Sequence, residues 1–355
     1  MEMAQLISTV TGIAISPLLG VSAVGCWHYV SADAQQKANL PWYAQPWFFL
    51  PALLIVGLVA AKDVLGTATP PGLKKPIDVA ETLENKLSGL VATGALLPLI
   101  ATFMGQPGAS ASLGGSEFTV AAITGSTFLQ IAALPFVLAA YAVVWMAAHA
   151  IHVLILLSPW GAVDAVLKVG RTALLSALAG ISLIKPAWGA VFSVLLILVA
   201  YFIAGWSFRL SIQGWVYCWD FLTGRRHRFA PTADANWVFA ARKIGGAPIR
   251  SYGRLMRVTG GGFEFRYRPW LFLPEQVETL PSGLSVGRAV LHPTVEQGSE
   301  ESSETVLNFP PRYRGHEDEL ARLCGLPVQD IGILRGVRAL IQGIRSLFGL
   351  SSKTA

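Results

Sequence analysis

Charge is what this chain has least of. Only 14% of its 355 residues are Asp, Glu, Lys or Arg, where soluble domains carry about 25%. The deficit is local. Residues 1–222 hold nine Lys/Arg and nine Asp/Glu, whereas residues 223–355 hold eighteen Lys/Arg against twelve Asp/Glu, so the net +6 lies wholly in the C-terminal part. An asymmetry of this kind marks two regions that face different solvents. Cysteine is also scarce: Cys26, Cys218 and Cys324 are far apart and form no Cys-x-x-Cys motif, which excludes a disulfide framework and a cysteine zinc site and leaves reduced, packing cysteines as the expectation. The N-terminus MEMAQ lacks a basic leader, so the first apolar segment is expected to remain as an anchor. Neither Gly-x-Ser-x-Gly nor His-Glu-x-x-His occurs, and Gly260-Gly261-Gly262 is followed by no Gly-Lys-Ser/Thr. No catalytic activity, cofactor or metal is therefore expected.

What is abundant is long apolar sequence. A membrane-crossing helix needs roughly 20 predominantly apolar residues. Residues 4–30 (interrupted by Pro17), 45–61, about 86–104, 162–183 and 187–210 qualify as candidates, and the last reads on as helix to Leu222. The apolar run 118–157 would be ~60 Å long as one helix, about twice the hydrocarbon thickness. Pro135 is its natural break, giving a half-helix or re-entrant piece over 118–134 and a span over 136–157. The fold class expected is an α-helical polytopic bundle of about six spans over residues 1–222. A small β-rich domain over 223–327 and an amphipathic C-terminal helix over 328–355 follow it.

Basic residues in short loops set orientation. Loop 62–86 has Lys62, Lys74, Lys75 and Lys86; segment 158–171 has Lys168 and Arg171; Arg225, Arg226 and Arg228 follow the last span. Residues 105–117 have no Lys or Arg, and residues 31–44 have one. Six crossings with both ends inside place every basic loop in the cytoplasm, as expected for a bacterial inner-membrane protein. Trp206, Trp215, Tyr217 and Trp219 form an aromatic belt near the end of the last helix. A faint internal echo relates Ala60-Ala61, Pro70-Pro71, Asp78 and Pro98 to Ala147-Ala148, Pro159, Asp164 and Pro186. It is either a weak transporter-type repeat or the chance similarity of apolar sequences.

In the polar part, 254–259 and 263–268 flank the glycine triplet as a hairpin, and 270–273, 286–291 and 305–309 read as further strands. Residues 296–304 (EQGSEESSE) read as a solvated acidic loop. Residues 316–324 read as a helix, with Glu317, Asp318 and Glu319 complementing its dipole. In the tail, Ile333, Val337, Leu340, Ile341, Ile344, Leu347 and Phe348 recur at three- and four-residue steps opposite Arg335, Arg338 and Arg345. This is the pattern of a helix lying in the membrane interface, or of one packing on its own domain.

The segments TGIAISPLLGVSAVG, DVAETLENKLSGLVATGALL and LLSPWGAVDAVLKVGRTALL resemble the bacterial membrane proteins grouped as domain of unknown function 4126, over roughly residues 8–210. Lys62-Asp63 stands where that family tends to carry a carboxylate, so this position matches only in part. The resemblance implies a fold and a membrane location, and no reaction. GGGFEFRYRPWLFLP and FPPRYRGHEDELARLCGL resemble a bacterial pleckstrin-homology-like domain.

Three constellations carry functional potential. Asp78, Glu81, Asn85 and Ser88 lie at three- and four-residue steps on one helical face that leads into an apolar span. Asp164, Lys168 and Arg171 lie near one face of the echoing segment. Ionisable groups within membrane helices usually face the bundle interior and have partners, which points to a Glu81 or Asp78 pair with Lys168 or Arg171. The plainer alternative is interfacial charge in water. His149 and His152, one turn apart, suit a proton relay or half a metal site, or simple hydrogen bonding at a helix end. Arg254, Arg257, Arg266 and Arg268, with Arg250, suit a cationic face toward anionic lipid headgroups, each charge contributing ~1 kcal/mol. An ordinary solvated face is the alternative. Nucleic acid is not an expected partner, since no recognition motif accompanies the charge.

These readings leave two functions open: transport of a small polar or lipid-linked solute, or a non-catalytic membrane scaffold whose soluble domain engages anionic lipid, a membrane-protein partner or a second copy. The ion-pair expectation has a direct test. Reversing Glu81 alone, or Arg171 alone, should lower expression and thermal stability, and reversing both together should restore them; failure of the double reversal removes the pairing.

Overall fold

A computed structural model of the chain describes residues 2–65, 82, 84–96, 125–158, 161–258, 261–289, 292–298 and 303–330. By its internal contacts it divides into two units, Met1–Ser207 and Phe208–Ala355. The division falls inside the last long helix, where the sequence alone suggests its end near Leu222.

The first unit is helical. Helix α1 (Glu2–Ile15) and helix α2 (Pro17–Ser31) are separated at Ser16. Pro17 has no N–H to continue α1 and takes the first position of α2, where none is needed. The apolar stretch 4–30 is therefore two helices. Helix α3 (Pro46–Leu65) follows, then α4 over residues 84–96. Helix α5 is Gly125–Leu157, α6 is Gly161–Ile184, and α7 is Pro186–Leu222. Helix α1 packs on α2, α5 and α6, and α2 packs on α3. Leu6, Val10, Ile13, Tyr43, Leu96, Tyr141, Val144 and Leu178 close the core.

Three helical stretches are long and apolar enough to cross a membrane, Leu134–Leu157, Val163–Ile184 and Pro186–Leu222, with shorter apolar helices at Ala4–Ile15 and Pro46–Val59. Among the described residues this is fewer than the six spans expected, and the third expected span, 86–104, is described only to residue 96. The outward surface agrees with a membrane: Leu183, Ile184 and Phe202 are each more than 80% exposed. Apolar exposure on that scale is untenable against water.

Pro135 does not break its helix. Helix α5 runs continuously through it for 33 residues, so the half-helix over 118–134 and the separate span over 136–157 merge from Gly125 onward. Proline removes one backbone donor; ending the helix would strand several polar groups in an apolar medium, where each costs several kcal/mol.

The second unit holds an eight-stranded mixed sheet: β1 (Ala235–Ala240), β2 (Tyr252–Arg257), β3 (Phe263–Tyr267), β4 (Gln276–Thr279), β5 (Leu284–Arg288), β6 (Thr294–Gln297), β7 (Glu304–Asn308) and β8 (Val328–Asp330). The spatial order is β4-β3-β2-β1-β7-β6-β5-β8. Two antiparallel meanders, four strands and three, join through β1 and β7, and β8 adds in parallel to β5. The hairpin expected around the glycine triplet is present, with Leu255 opposite Phe265. Burial alternates strictly along β3, with Phe263, Phe265 and Tyr267 inward, as half-buried strands require. Helix α8 (Glu317–Cys324) begins after His316 and ends at Gly325, whose φ of +67° suits the left-handed cap. Tyr313 is buried, and its hydroxyl accepts the Trp237 amide proton at 2.9 Å.

Several strand expectations are corrected. Residues 270–273 are not a strand: Pro269–Leu271 is a single 3-10 turn with Trp270 and Leu271 at positive φ, because Pro269 cannot donate to a ladder. The acidic segment is not all loop. Glu296 lies in β6, buried, and accepts a hydrogen bond from Thr305 Oγ1 at 2.9 Å. Strands β1, β4 and β6 carried no distinct alternation, and β8 occupies residues placed in the tail helix. The rest of that tail, with Arg335, Arg338 and Arg345, lies outside the described residues.

The end of α7 is anchored by a buried pair. Asp220 Oδ2 lies 3.6 Å from Arg312 Nε and accepts the Arg312 amide proton at 3.3 Å; Arg312 Nη2 donates to the Tyr252 hydroxyl at 3.0 Å. Both residues are 4% exposed. Removing one partner of such a pair costs about 3–5 kcal/mol, whereas an apolar replacement of both is often neutral. Asp220→Ala should therefore lower the denaturant midpoint of the full-length protein by that equivalent, read from tryptophan fluorescence. Asp220→Leu with Arg312→Met should recover most of it; an unchanged midpoint for the single variant would show that the pair contributes nothing.

Candidate functional site

A polar stripe inside the apolar bundle is the strongest candidate. Along α5, Tyr141, Trp145, His149 and His152 follow at steps of four, four and three, which aligns them on one helical face. Tyr141, His149 and His152 are 4%, 0% and 4% exposed. Each meets a group from another helix or another turn. The Tyr141 hydroxyl donates to the Gly89 carbonyl of α4 at 2.9 Å. Trp145 lies against Gly89: a β-carbon there would sit 2.3 Å from the indole Nε1. This is a close approach only glycine permits. His149 stacks on Trp145, with ring centroids 5.4 Å apart and planes 10° apart.

The two histidines are held differently. His149 Nδ1 lies 2.8 Å from Asn85 Oδ1. An amide oxygen only accepts, so with this orientation Nδ1 carries the proton and Nε2 presents a bare lone pair. That Nε2 is buried and has no hydrogen-bond partner among the described residues. His152 Nε2 lies 2.6 Å from Arg171 Nη1. Guanidinium only donates, so His152 accepts through Nε2 and is neutral there. Arg171 Nε also donates to the Ile15 carbonyl at 3.2 Å, one of the last-turn carbonyls that α1 leaves without an intrahelical partner. The break before Pro17 thus supplies an acceptor for a cation within the bundle.

Asn85, His149, His152 and Arg171 are therefore brought together, from α4, α5 and α6. Asp164 is buried in the first turn of α6, and Lys168 is half-buried one turn later. Asp78 and Glu81 lie outside the described residues, so the pairing expected of them does too. The histidine rings are 6.4 Å apart, and the guanidinium already on His152 Nε2 would repel a metal cation at that nitrogen. Among the described residues no group of three or more His, Cys, Asp or Glu is placed to hold a metal ion. Tyr141 and Trp145 were missed from sequence, although their spacing from His149 was the available signal.

The basic face of the sheet is less cationic than the sequence suggests. Arg254 and Arg266 stand directly opposite each other in the β2–β3 register, a placement that repels. Each is offset by a carboxylate: Arg254 by Glu275 at 2.9 Å, Arg266 by Glu264 at 3.0 Å. Arg257 and Arg268 are exposed. Arg250 is not a surface residue at all; it is 7% exposed.

No family model, curated protein or solved structure matches the chain. The site therefore rests on its own geometry. Asn85→Ala would leave the His149 Nδ1 proton without its acceptor, which costs about 1–3 kcal/mol in a buried setting. The expected result is a lower melting temperature in detergent, largely recovered in Asn85→Ala with His149→Phe, where neither partner remains. An equal melting temperature for Asn85→Ala would show that the contact carries no energy.

Proposed function

We propose that this chain is a multi-pass membrane protein that moves a small polar or lipid-linked solute, with proton exchange at His149. The observation that carries the reading is the His149 Nε2 lone pair, buried within the bundle with no hydrogen-bond partner among the described residues. Leaving a buried acceptor unpaired is costly, and polar groups retained inside membrane helices mark solute or proton pathways. His149 would accept a proton or a donor group of the solute at Nε2 while Asn85 holds the opposite nitrogen. Arg171 donates to His152 Nε2 and to the Ile15 carbonyl and so holds the neighbouring histidine in place. The basic loops support an orientation with both ends in the cytoplasm of a bacterial cell. The four-plus-three strand order closed by α8 supports a pleckstrin-homology-like reading of the sheet unit, and the glycine-bearing apolar helices support the likeness to domain of unknown function 4126.

A scaffold role is the second reading, favoured by close backbone packing. A β-carbon at Gly25 would lie 2.1 Å from the Tyr43 carbonyl oxygen, so α2 meets the chain after it without room for a side chain. Proteoliposomes with an imposed pH gradient and an internal pH dye separate the two. Transport predicts collapse of the gradient about tenfold or more faster than in empty vesicles, a rate difference of ~1.4 kcal/mol or more in barrier, with His149→Gln returning it to the empty-vesicle rate. Wild-type vesicles no faster than empty ones would leave the scaffold reading.

A further inference from the structure

Helix α7 is too long for a membrane alone. From Pro186 to Arg209 it rises ~35 Å, slightly more than the ~30 Å hydrocarbon layer. A span that begins at Pro186 therefore brings Arg209 to headgroup level. From there Arg209, Gln213 and Tyr217 recur every four residues along one face, and that face meets the sheet unit. Arg209 Nε donates to the Ile249 carbonyl at 2.9 Å. The Tyr217 ring is 6.4 Å from Phe239 and 6.0 Å from His292.

The next residue after Ile249 is Arg250. It is 7% exposed and adopts φ +67°, a left-handed conformation that costs an ordinary side chain roughly 1–2 kcal/mol. Its Nη1 is buried with no hydrogen-bond partner among the described residues, and the Tyr217 hydroxyl, which has Gln213 beside it one turn back on the same face, lies close enough to bear on its charge. No carboxylate within ion-pair distance offsets either arginine among the described residues. The nearest acid along α7, Asp220, is committed to Arg312. Burial and the adjacent Arg209 guanidinium push Arg250 down to about 10. Two neighbouring guanidinium groups with no counter-charge are among the least favourable arrangements a folded interior can hold. Strain is accepted here to keep one of them inside.

We propose that Arg209 and Arg250, with the Tyr217 hydroxyl, bind a phosphate-type oxyanion. Such a group supplies several strong acceptor oxygens, matches the planar guanidinium fork, and takes a hydrogen bond from a phenol. The depth of Arg209 along α7 admits an anionic lipid headgroup as its source, and free phosphate has the same chemistry. The site is separate from the His149 network and does not depend on transport.

The test uses the full-length protein with phosphatidylglycerol and inorganic phosphate as probes. After extraction from membranes containing phosphatidylglycerol and phosphatidylcholine, native mass spectrometry should find phosphatidylglycerol retained preferentially. Arg250→Gln and Arg209→Gln should each cut that retention about tenfold or more, the loss of one charge-assisted hydrogen bond. Tyr217→Phe, which keeps the packing ring and guards against misfolding of the arginine variants, should cut it about threefold. Lys243→Gln, an equal change of charge at an exposed position, should leave it unchanged. If no lipid is retained but inorganic phosphate raises the melting temperature of the wild type and not of Tyr217→Phe, at matched ionic strength, the site takes soluble phosphate. Retention and melting temperature that respond to neither probe, or that fall equally in Lys243→Gln, overturn the proposal.

Discussion

In a medium that cannot hydrogen-bond, every polar group must find its partner inside the protein, and an unsatisfied one costs several kcal/mol. Much of this molecule follows from that single constraint. It keeps α5 helical through Pro135, because one lost backbone bond is cheaper than a helix end in hydrocarbon. It also explains why the break between α1 and α2 comes with a cation: the freed Ile15 carbonyl accepts from Arg171, and Arg171 in turn occupies His152. The same demand ties Asp220 to Arg312 and Tyr252 at the far end of α7. The demand goes unmet at several buried atoms among the described residues, His149 Nε2 and Arg250 Nη1 among them. Those two are the atoms to which the proposed ligands are assigned.

The unmet groups differ in sign, and this separates two chemistries. His149 offers a lone pair, an acceptor for a proton or a donor group. Arg250 offers N–H and positive charge, a donor for an anion. The first lies among α4, α5 and α6; the second belongs to the unit that begins at Phe208. Helix α7 contributes residues to both units, so its continuity from Pro186 to Leu222 is the covalent link between an apolar domain and a basic one.

Legibility from sequence tracked the number of residues that carry each signal. Helices α6 and α7 were placed within a residue or two, because twenty or more apolar positions speak together. The β2–β3 hairpin was legible because alternation and a glycine turn coincide. Strand β8 has three residues, and β1 mixes Ala and Asn with Trp, Val and Phe, so neither shows a period of its own. Two of their partners, β5 for β8 and β7 for β1, lie distant in sequence. Proline misled in one direction at Pro135 and informed correctly at Pro17. The difference lies in the neighbours: Ser16 leaves the helical conformation and Pro17 takes the first position of a new helix, whereas Pro135 is embedded in unbroken apolar sequence.

The candidate site was half legible for a related reason. His149, His152, Asn85 and Arg171 stood out as polar residues in apolar surroundings, and the structure brings all four together. Which would pair with which was not readable, since pairing depends on the rotation of each helix about its axis, and spacing within one helix does not fix the rotation of its neighbour. Tyr141 and Trp145 read as ordinary apolar filling until Gly89 is seen to make room for the indole. Arg250 looked like one more surface cation in a basic stretch because residue type reports charge and not depth. Its left-handed φ and burial are consequences of the turn between β1 and β2, where the Arg250 amide donates to the Ala240 carbonyl at 2.7 Å. That backbone bond fixes where the side chain starts, so its direction into the interior is imposed by the fold. Among the described residues no carboxylate stands beside this buried guanidinium, so the proposed oxyanion is the group that would supply its counter-charge.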